Sequence, residues 1–223
     1  MSDKPADVAE LDWSVYIVQN KLRTEPASFI PYLEEMLTYF DGKILKVPGK
    51  IQITTAEGAP AVEEAIEYLK NAEPLNALSW NDGLSKSCQD HVADQAPTGQ
   101  TGHFGSDGSD PFDRMLRHGE WDITASENLA YGSNTGTEII MSLFVDDDVP
   151  DRGHRVTLFN DRLNVAGVYS GPHKVYRDMT CINYAGEFEE DESSQPKEVP
   201  DPSEWASGTL TTTKPDDVSV LDW

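Results

Sequence analysis

Three short segments between residues 102 and 167 set an ionisable side chain beside glycine or among small residues. They are Gly102-His103-Phe104-Gly105, then Ser126-Glu127-Asn128-Leu129-Ala130-Tyr131-Gly132, then Arg152-Gly153-His154-Arg155. Glycine lets a backbone turn sharply or pass close to another group, so a neighbouring side chain is aimed at little steric cost. Two imidazoles and a carboxylate delivered this way from three separate places point to one shared pocket. Any fold the chain adopts must bring these segments together. The rest of the sequence reads as the scaffold, leader and tail of that pocket.

The scaffold is legible from its spacing. At 223 residues the chain has room for one ordinary domain with extensions, or two small domains. Trp13, Val15, Ile17, Val18 and Leu22 suit a helix over 13–22. Thr24-Glu25-Pro26 reads as the cap and first turn of a second helix, with Phe29, Leu33, Met36, Leu37 and Phe40 on its apolar face and Asp41-Gly42 at its end. Residues 43–58 form a basic-to-neutral connector with a short extended piece at Ile51-Gln52-Ile53. Residues 61–71 are amphipathic, with Val62, Ile66 and Leu69 opposite Glu63, Glu64 and Glu67. Asn81 or Asp82 then caps a helix on which Leu84, Cys88, His91 and Val92 face inward, so His91 reads as a core histidine. A Gly/Ser/Asp-rich loop over 99–110 precedes helices at 111–117 and 137–145. Strands are expected at 165–169 and 175–184, joined through Gly171-Pro172. Helices around at least two strands imply an α/β sandwich.

Charge narrows the partners. A net charge of −23 with a pI near 4.3 offers no basic stripe for nucleic acid and repels an anionic membrane surface. It keeps the protein soluble, or supplies an acidic face for a basic partner. No apolar run reaches the roughly 18 residues of a membrane span. The opening Met1-Ser2-Asp3-Lys4-Pro5-Ala6-Asp7 lacks the apolar core of a secretory signal. Two cysteines, Cys88 and Cys181, make a poor disulfide framework, so both are expected to be reduced thiols in a cytoplasmic protein. From residue 187 onward eleven acidic residues face two basic ones among four prolines, the signature of disorder. Trp205 and Trp223 are the anchors that tail offers to a partner.

As chemistry, His103, Glu127 and His154 supply two nitrogen ligands and one oxygen, a first shell for zinc with an open position. The same trio suits proton transfer, since a carboxylate beside an imidazole fixes its tautomer and raises its basicity. It equally suits a buried network that only rigidifies a loop-rich pocket. Asp146, Asp147 and Asp148 stand just before His154 and offer a second carboxylate. No Gly-x-Ser-x-Gly, His-Glu-x-x-His or Cys-x-x-Cys motif is present, and Ser126 is merely adjacent to Glu127, a poor relation for a nucleophile and its base.

These segments, followed by Ala166-Gly167-Val168 and preceded by Leu78-x-Trp80, resemble the CAP superfamily (cysteine-rich secretory proteins, antigen 5, pathogenesis-related 1), also called the SCP domain. The resemblance covers roughly residues 75–188 and implies an α-β-α sandwich. It divides the chain into a polar arm (1–12), a helical leader (13–74) in which Arg23-Thr24-Glu25-Pro26 replaces the usual domain start, the domain, and an acidic irregular tail (189–223). It implies a cleft lined by two histidines and two acids: His103, Glu127, His154, and Asp146 in place of the family's second glutamate, with Asp147 as the fallback. His103 and His154 are then expected to face each other across that cleft, as candidate ligands for a divalent metal such as zinc, with Glu127 in reach. Without disulfides or a signal, the chain is most similar to the cytosolic branch of the family. Members act mostly by binding. The resemblance thus implies a non-enzymatic binding or assembly protein of the cytosol, a subunit of a large complex such as a cytoskeletal or ciliary one, with protein partners held through leader and tail. The alternatives are a metal-dependent or His/Glu hydrolase in the same cleft, and a carrier of a small apolar ligand such as a sterol or lipid.

Overall fold

A computed structural model of the chain describes residues 3–205 and the backbone of 221–222. Its central sheet has the order β4 (Ser79–Trp80), β6 (Val165–His173), β7 (Arg177–Glu190), β5 (Gly119–Tyr131) and β8 (Leu221–Asp222). The β4–β6 pairing is parallel and the others are antiparallel. Seven α-helices are described: α1 (Glu10–Thr24), α2 (Ile30–Leu37), α3 (Ala59–Asn71), α4 (Asp82–Gln95), α5 (Pro111–Met115), α6 (Gly136–Val145) and α7 (Gly153–Leu158).

Alternation along the strands sorts the core into two layers. Ile182 and Tyr184 of β7 join Val15 and Leu22 of α1, Val62 and Leu69 of α3, and Ile139 and Phe144 of α6. Cys181 of β7 packs against Cys88 and Val92 of α4, while Ala185 joins Leu84 of α4 and Met115 of α5. Helices therefore cover both faces, the α/β arrangement expected from the sequence. On the α4 side Gly167 permits the closest approach, since a Cβ there would lie 2.1 Å from the backbone nitrogen of Ser85. Residues 13–74 belong to the same core as the sheet. The Tyr16 hydroxyl and Asn20 amide donate to the Leu78 carbonyl at 2.8 and 3.0 Å, and buried Arg23 donates to the carbonyls of Asn76, Leu158, Asn160 and Leu163.

Several local expectations are corrected. Thr24 does not cap the second helix. It ends α1, its hydroxyl donating back to the Asn20 carbonyl at 2.9 Å, and α2 is entered through a 3₁₀ turn at Pro26–Phe29. Asp41-Gly42 is not a helix end but part of a small antiparallel meander of β1 (Phe40–Asp41), β2 (Ile44–Leu45) and β3 (Ile53–Thr54). Gly171-Pro172 does not join the last two strands. Both lie inside β6, opposite Met179 and Asp178, where β4 no longer pairs and a missing N–H costs nothing. The turn comes later, and the His173 ring stabilises it by accepting the N–H of Val175 at 3.3 Å and of Tyr176 at 3.1 Å.

The tail is also more ordered than its composition suggests. β7 continues to Glu190, and the chain then lies along α4. Asp90 accepts the Lys197 N–H at 2.7 Å, Gln89 donates to the Lys197 carbonyl at 3.0 Å, and the His118 ring meets the Ser194 hydroxyl at 3.0 Å. Val199 and Trp205 pack against the cluster of Cys88, Val92 and Leu129. The Trp205 indole, expected to await a partner, is thus used within the chain. Trp223 lies outside the described residues. Among the described residues no helix is long and apolar enough to cross a membrane.

Candidate functional site

Glu127 sits within β5, a strand whose polar centre makes it easy to misread as a loop. Register with β7 sets Glu127 opposite Asn183 and Ser126 opposite Tyr184. Alternation therefore turns Glu127 towards α4 and α5, and turns Ser126 and Asn128 towards α7. On the α4 side Glu127 is fully buried and holds three neighbours. Arg114 donates to both its oxygens at 3.0 and 2.9 Å, His103 Nδ1 lies 2.9 Å from Oε1, and the Cys181 thiol donates to Oε2 at 3.3 Å. Arg114 is placed by α5, whose N-terminus is fixed by a reciprocal Asp110–Asp113 capping box, and it also donates to the Ser109 carbonyl at 3.0 Å.

Burial alone would raise the Glu127 carboxyl, but Arg114, with His91 and His103, outweighs it and holds the group far below the usual carboxylate range. His91 has the opposite balance: burial pushes it down to about 4, while its Nε2 keeps a 2.9 Å bond to the Gly102 carbonyl. Burial also raises both thiols, Cys88 and Cys181, which are free and enclosed. Raised thiols hold little nucleophilic thiolate.

On the α7 side, Asp146 directly follows α6 in the left-handed region (φ 55°), where a short polar side chain is tolerated. Its carboxylate takes the His154 backbone N–H at 2.9 Å and lies 2.6 Å from His154 Nδ1. Arg152 steadies the approach by donating to the Asp146 carbonyl at 2.7 Å and to both Glu57 oxygens at 2.6 and 2.7 Å. Asp147 points elsewhere, accepting the N–H groups of Ala56 and Glu57 at 2.7 and 2.8 Å.

Of the four expected residues, His103 pairs with Glu127 and His154 with Asp146. No described hydrogen bond or ion pair joins one pair to the other. Each Nδ1 is engaged by a carboxylate, and each Nε2 is buried without a hydrogen-bond partner among the described residues. Such orphaned nitrogens fit a metal ion, with the carboxylates orienting the rings as outer partners. No three His, Cys, Asp or Glu side chains gather as a metal-binding group among the described residues. An ion would therefore rest on imidazole nitrogens and on ligands from outside the chain, with Glu127 and Asp146 as supports. Arg114 and His91 were not singled out as site residues. No spacing signals Arg114, and His91 is signalled only by its inward place with Leu84, Cys88 and Val92.

Comparison with curated proteins gives no match. Similar solved structures include an extracellular protein containing an SCP domain from Bacillus anthracis str. Ames (20% identity, 56% of this chain, TM-score 0.42). Others are an outer surface protein from Borrelia burgdorferi (18% identity, 60% of this chain and 97% of that one, TM-score 0.44) and venom allergen-like protein 4 from Schistosoma mansoni (15% identity, 88% and 99%, TM-score 0.42). The chain spans 38% of the length of the Bacillus protein. The CAP family, described as the cysteine-rich secretory protein family, matches residues 18–184, most of the chain, and the protein belongs to that family.

Proposed function

We propose that this CAP protein acts by binding and assembly rather than by catalysis, and that it does so in the cytosol. The observation that carries the reading is the state of Glu127. A working general base has a proton affinity matched to the ambient pH. Glu127 is instead held far below that range by Arg114, fully buried, as the counter-ion of a structural pair. The other candidates for chemistry are similarly occupied. The Ser126 hydroxyl meets Thr157 Oγ1 at 3.1 Å, and both thiols are raised by burial. The free, enclosed cysteines are compatible with a reducing compartment.

The two unpartnered imidazole nitrogens support a second reading, weak metal binding at His103 and His154. Zinc there would supply Lewis acidity, while Glu127 and Asp146 hold the ring tautomers. The deciding experiment is sedimentation of the tagged chain from the cells that make it, alongside the His103→Ala/His154→Ala variant. We expect both to travel with a large assembly. A wild type that runs as a free monomer, or ester or peptide turnover that the double variant lacks, overturns the binding reading in favour of the hydrolase.

A further inference from the structure

Between α2 and α3 the chain leaves the core as the three-stranded meander. Residues 42–56 contain Lys43, Lys46 and Lys50 and no acidic residue, in a protein with 40 acidic side chains. The same stretch leaves Ile44, Ile51 and Ile53 at 37%, 48% and 45% exposure, three of the eight large apolar side chains exposed among the described residues. Register sets Ile53 opposite Leu45 and Ile44 opposite Thr54, so Ile44 lies on the other face from Ile53, while Ile51, two residues before Ile53, is on the Ile53 side.

The meander is fastened at its margins rather than by a core of its own. Asp147 accepts the two N–H groups at its exit, and Lys50 pairs with Glu138 at 2.9 Å. Lys46 pairs with Asp41 at 2.5 Å, and Lys43 donates to the Ala56 carbonyl. The Lys46 and Lys50 side chains are 40% and 50% exposed, and pairs so open to water contribute little and exchange readily for other carboxylates. β3, two residues long, is moreover the edge of its sheet, with no strand beyond it among the described residues.

We propose that the meander docks an acidic, extended segment of a partner protein. The segment pairs with the β3 edge, sets carboxylates against Lys43, Lys46 and Lys50, and lays apolar side chains on Ile51 and Ile53. This is strand addition, in which backbone bonds supply affinity and alternate side chains supply specificity. Charge selects a single strand over a larger polyanion. With screening over about 8 Å at physiological salt, a narrow peptide senses mainly the local lysines. A membrane sheet or a nucleic-acid duplex extends beyond the patch and meets the −23 of the whole molecule. The meander is a surface separate from the histidine pairs, and its docking does not depend on their chemistry.

The test uses a fluorescein-labelled dodecapeptide of alternating Glu and Val, with anisotropy read against the full chain at low and physiological salt. Wild type is expected to bind, and the Lys43→Glu/Lys46→Glu/Lys50→Glu variant to bind about tenfold or more weakly. Ile51→Ser/Ile53→Ser is expected to lose about threefold or more with an unchanged salt dependence, since apolar area rather than charge is removed. All five positions are exposed, and a thermal melt confirms that both variants remain folded. Equal binding by all three proteins, or no binding by wild type, overturns the proposal. So does tighter binding of phosphatidylserine vesicles or RNA than of the peptide, or a dimer of this chain that the Ile51→Ser/Ile53→Ser variant loses.

Discussion

Arg114 and Glu127 form an ion pair with almost no water around it, the guanidinium side chain 2% exposed and the carboxylate 0%. Such a pair is expensive to break and cheap to replace, because the large cost lies in stranding one charge in the interior. Arg114→Met is therefore expected to destabilise the protein by about 3–5 kcal/mol, and Arg114→Met/Glu127→Gln to recover most of that loss. Urea denaturation of the two variants decides it; a double variant no more stable than the single would show that the pair contributes directional bonds rather than cancelled charge. Two other buried groups act in opposition. Asp12 is raised to about 7, chiefly by burial, with hydrogen bonds from Ser170 opposing, while His91 is lowered to about 4. A raised acid stabilises the fold below its unfolded value near 3.8 and loses that contribution as pH climbs towards 7. A lowered histidine stabilises above 6.5 and loses its contribution as pH falls towards 4. At about 1.4 kcal/mol per tenfold change in proton affinity, each is worth on the order of 3–4 kcal/mol, so between pH 4 and 6.5 they nearly cancel. Asp12→Asn is expected to unmask His91, giving a variant that loses stability steadily on acidification through that window. A variant whose stability stays flat there would rule out the opposition.

Elements differ in how much of themselves they show in sequence. The helices that bury one stripe were legible, because Val62, Ile66 and Leu69, or Leu84, Cys88 and Val92, repeat with the helical period. β5 was not, because its buried centre holds Ser126, Glu127 and Asn128, whose burial depends on partners far away in sequence: Thr157, Arg114 and the His154 carbonyl. The histidines and carboxylates of the site were found from their segments. Their division into two pairs was not, since it depends on where β5 aims Glu127 and on how the end of α6 sets Asp146 against α7. The order of residues 191–205 was hidden for a related reason. Composition reports too little apolar surface to fold, but a segment can borrow the surface of α4. Asp90 and His118, 3% and 2% exposed, act as the fastening by meeting Lys197 and Ser194. Asp90→Ala is expected to speed amide hydrogen exchange across 194–199 and to shift Trp205 emission to the red, with exchange in β6 unchanged. Protection that stays the same over 194–199 would mean that Val199 and Trp205 hold the segment unaided.

At the scale of the whole molecule, the first helix, the sheet and the beginning of the tail share one packed body. The family match starts at residue 18, inside α1, and α1 contributes Val15, Tyr16 and Leu22 to the same core as Ile182 and Tyr184. The acidic composition of 187–223 therefore does not mark where the folded body stops. Residues 187–190 extend β7 opposite Gly119, Glu120, Trp121 and Asp122. Residues 191–205 then cover Val92, Leu129 and both cysteines with Val199 and Trp205. A chain ending at Trp205 keeps all of these contacts and loses, among described elements, only β8, which pairs with β5 at two positions and approaches α7. A chain ending at Glu190 takes Lys197 from Asp90 and Ser194 from His118, leaving the two to each other and to Arg117, and uncovers the apolar cluster. Losing the cover of one tryptophan and one valine, with four hydrogen bonds, amounts to about 2–3 kcal/mol. For a chain of this size that corresponds to a fall in Tm of about 5–10 °C. The expectation is that truncation after Trp205 leaves Tm within about 2 °C of the full chain, while truncation after Glu190 lowers it by that larger amount. Truncation after Gly186 should fall further still, because β5 then loses its partner over four positions. Calorimetry of the three truncations would reject the assignment if all melted together, since the charge they shed would then matter more than the surface they uncover.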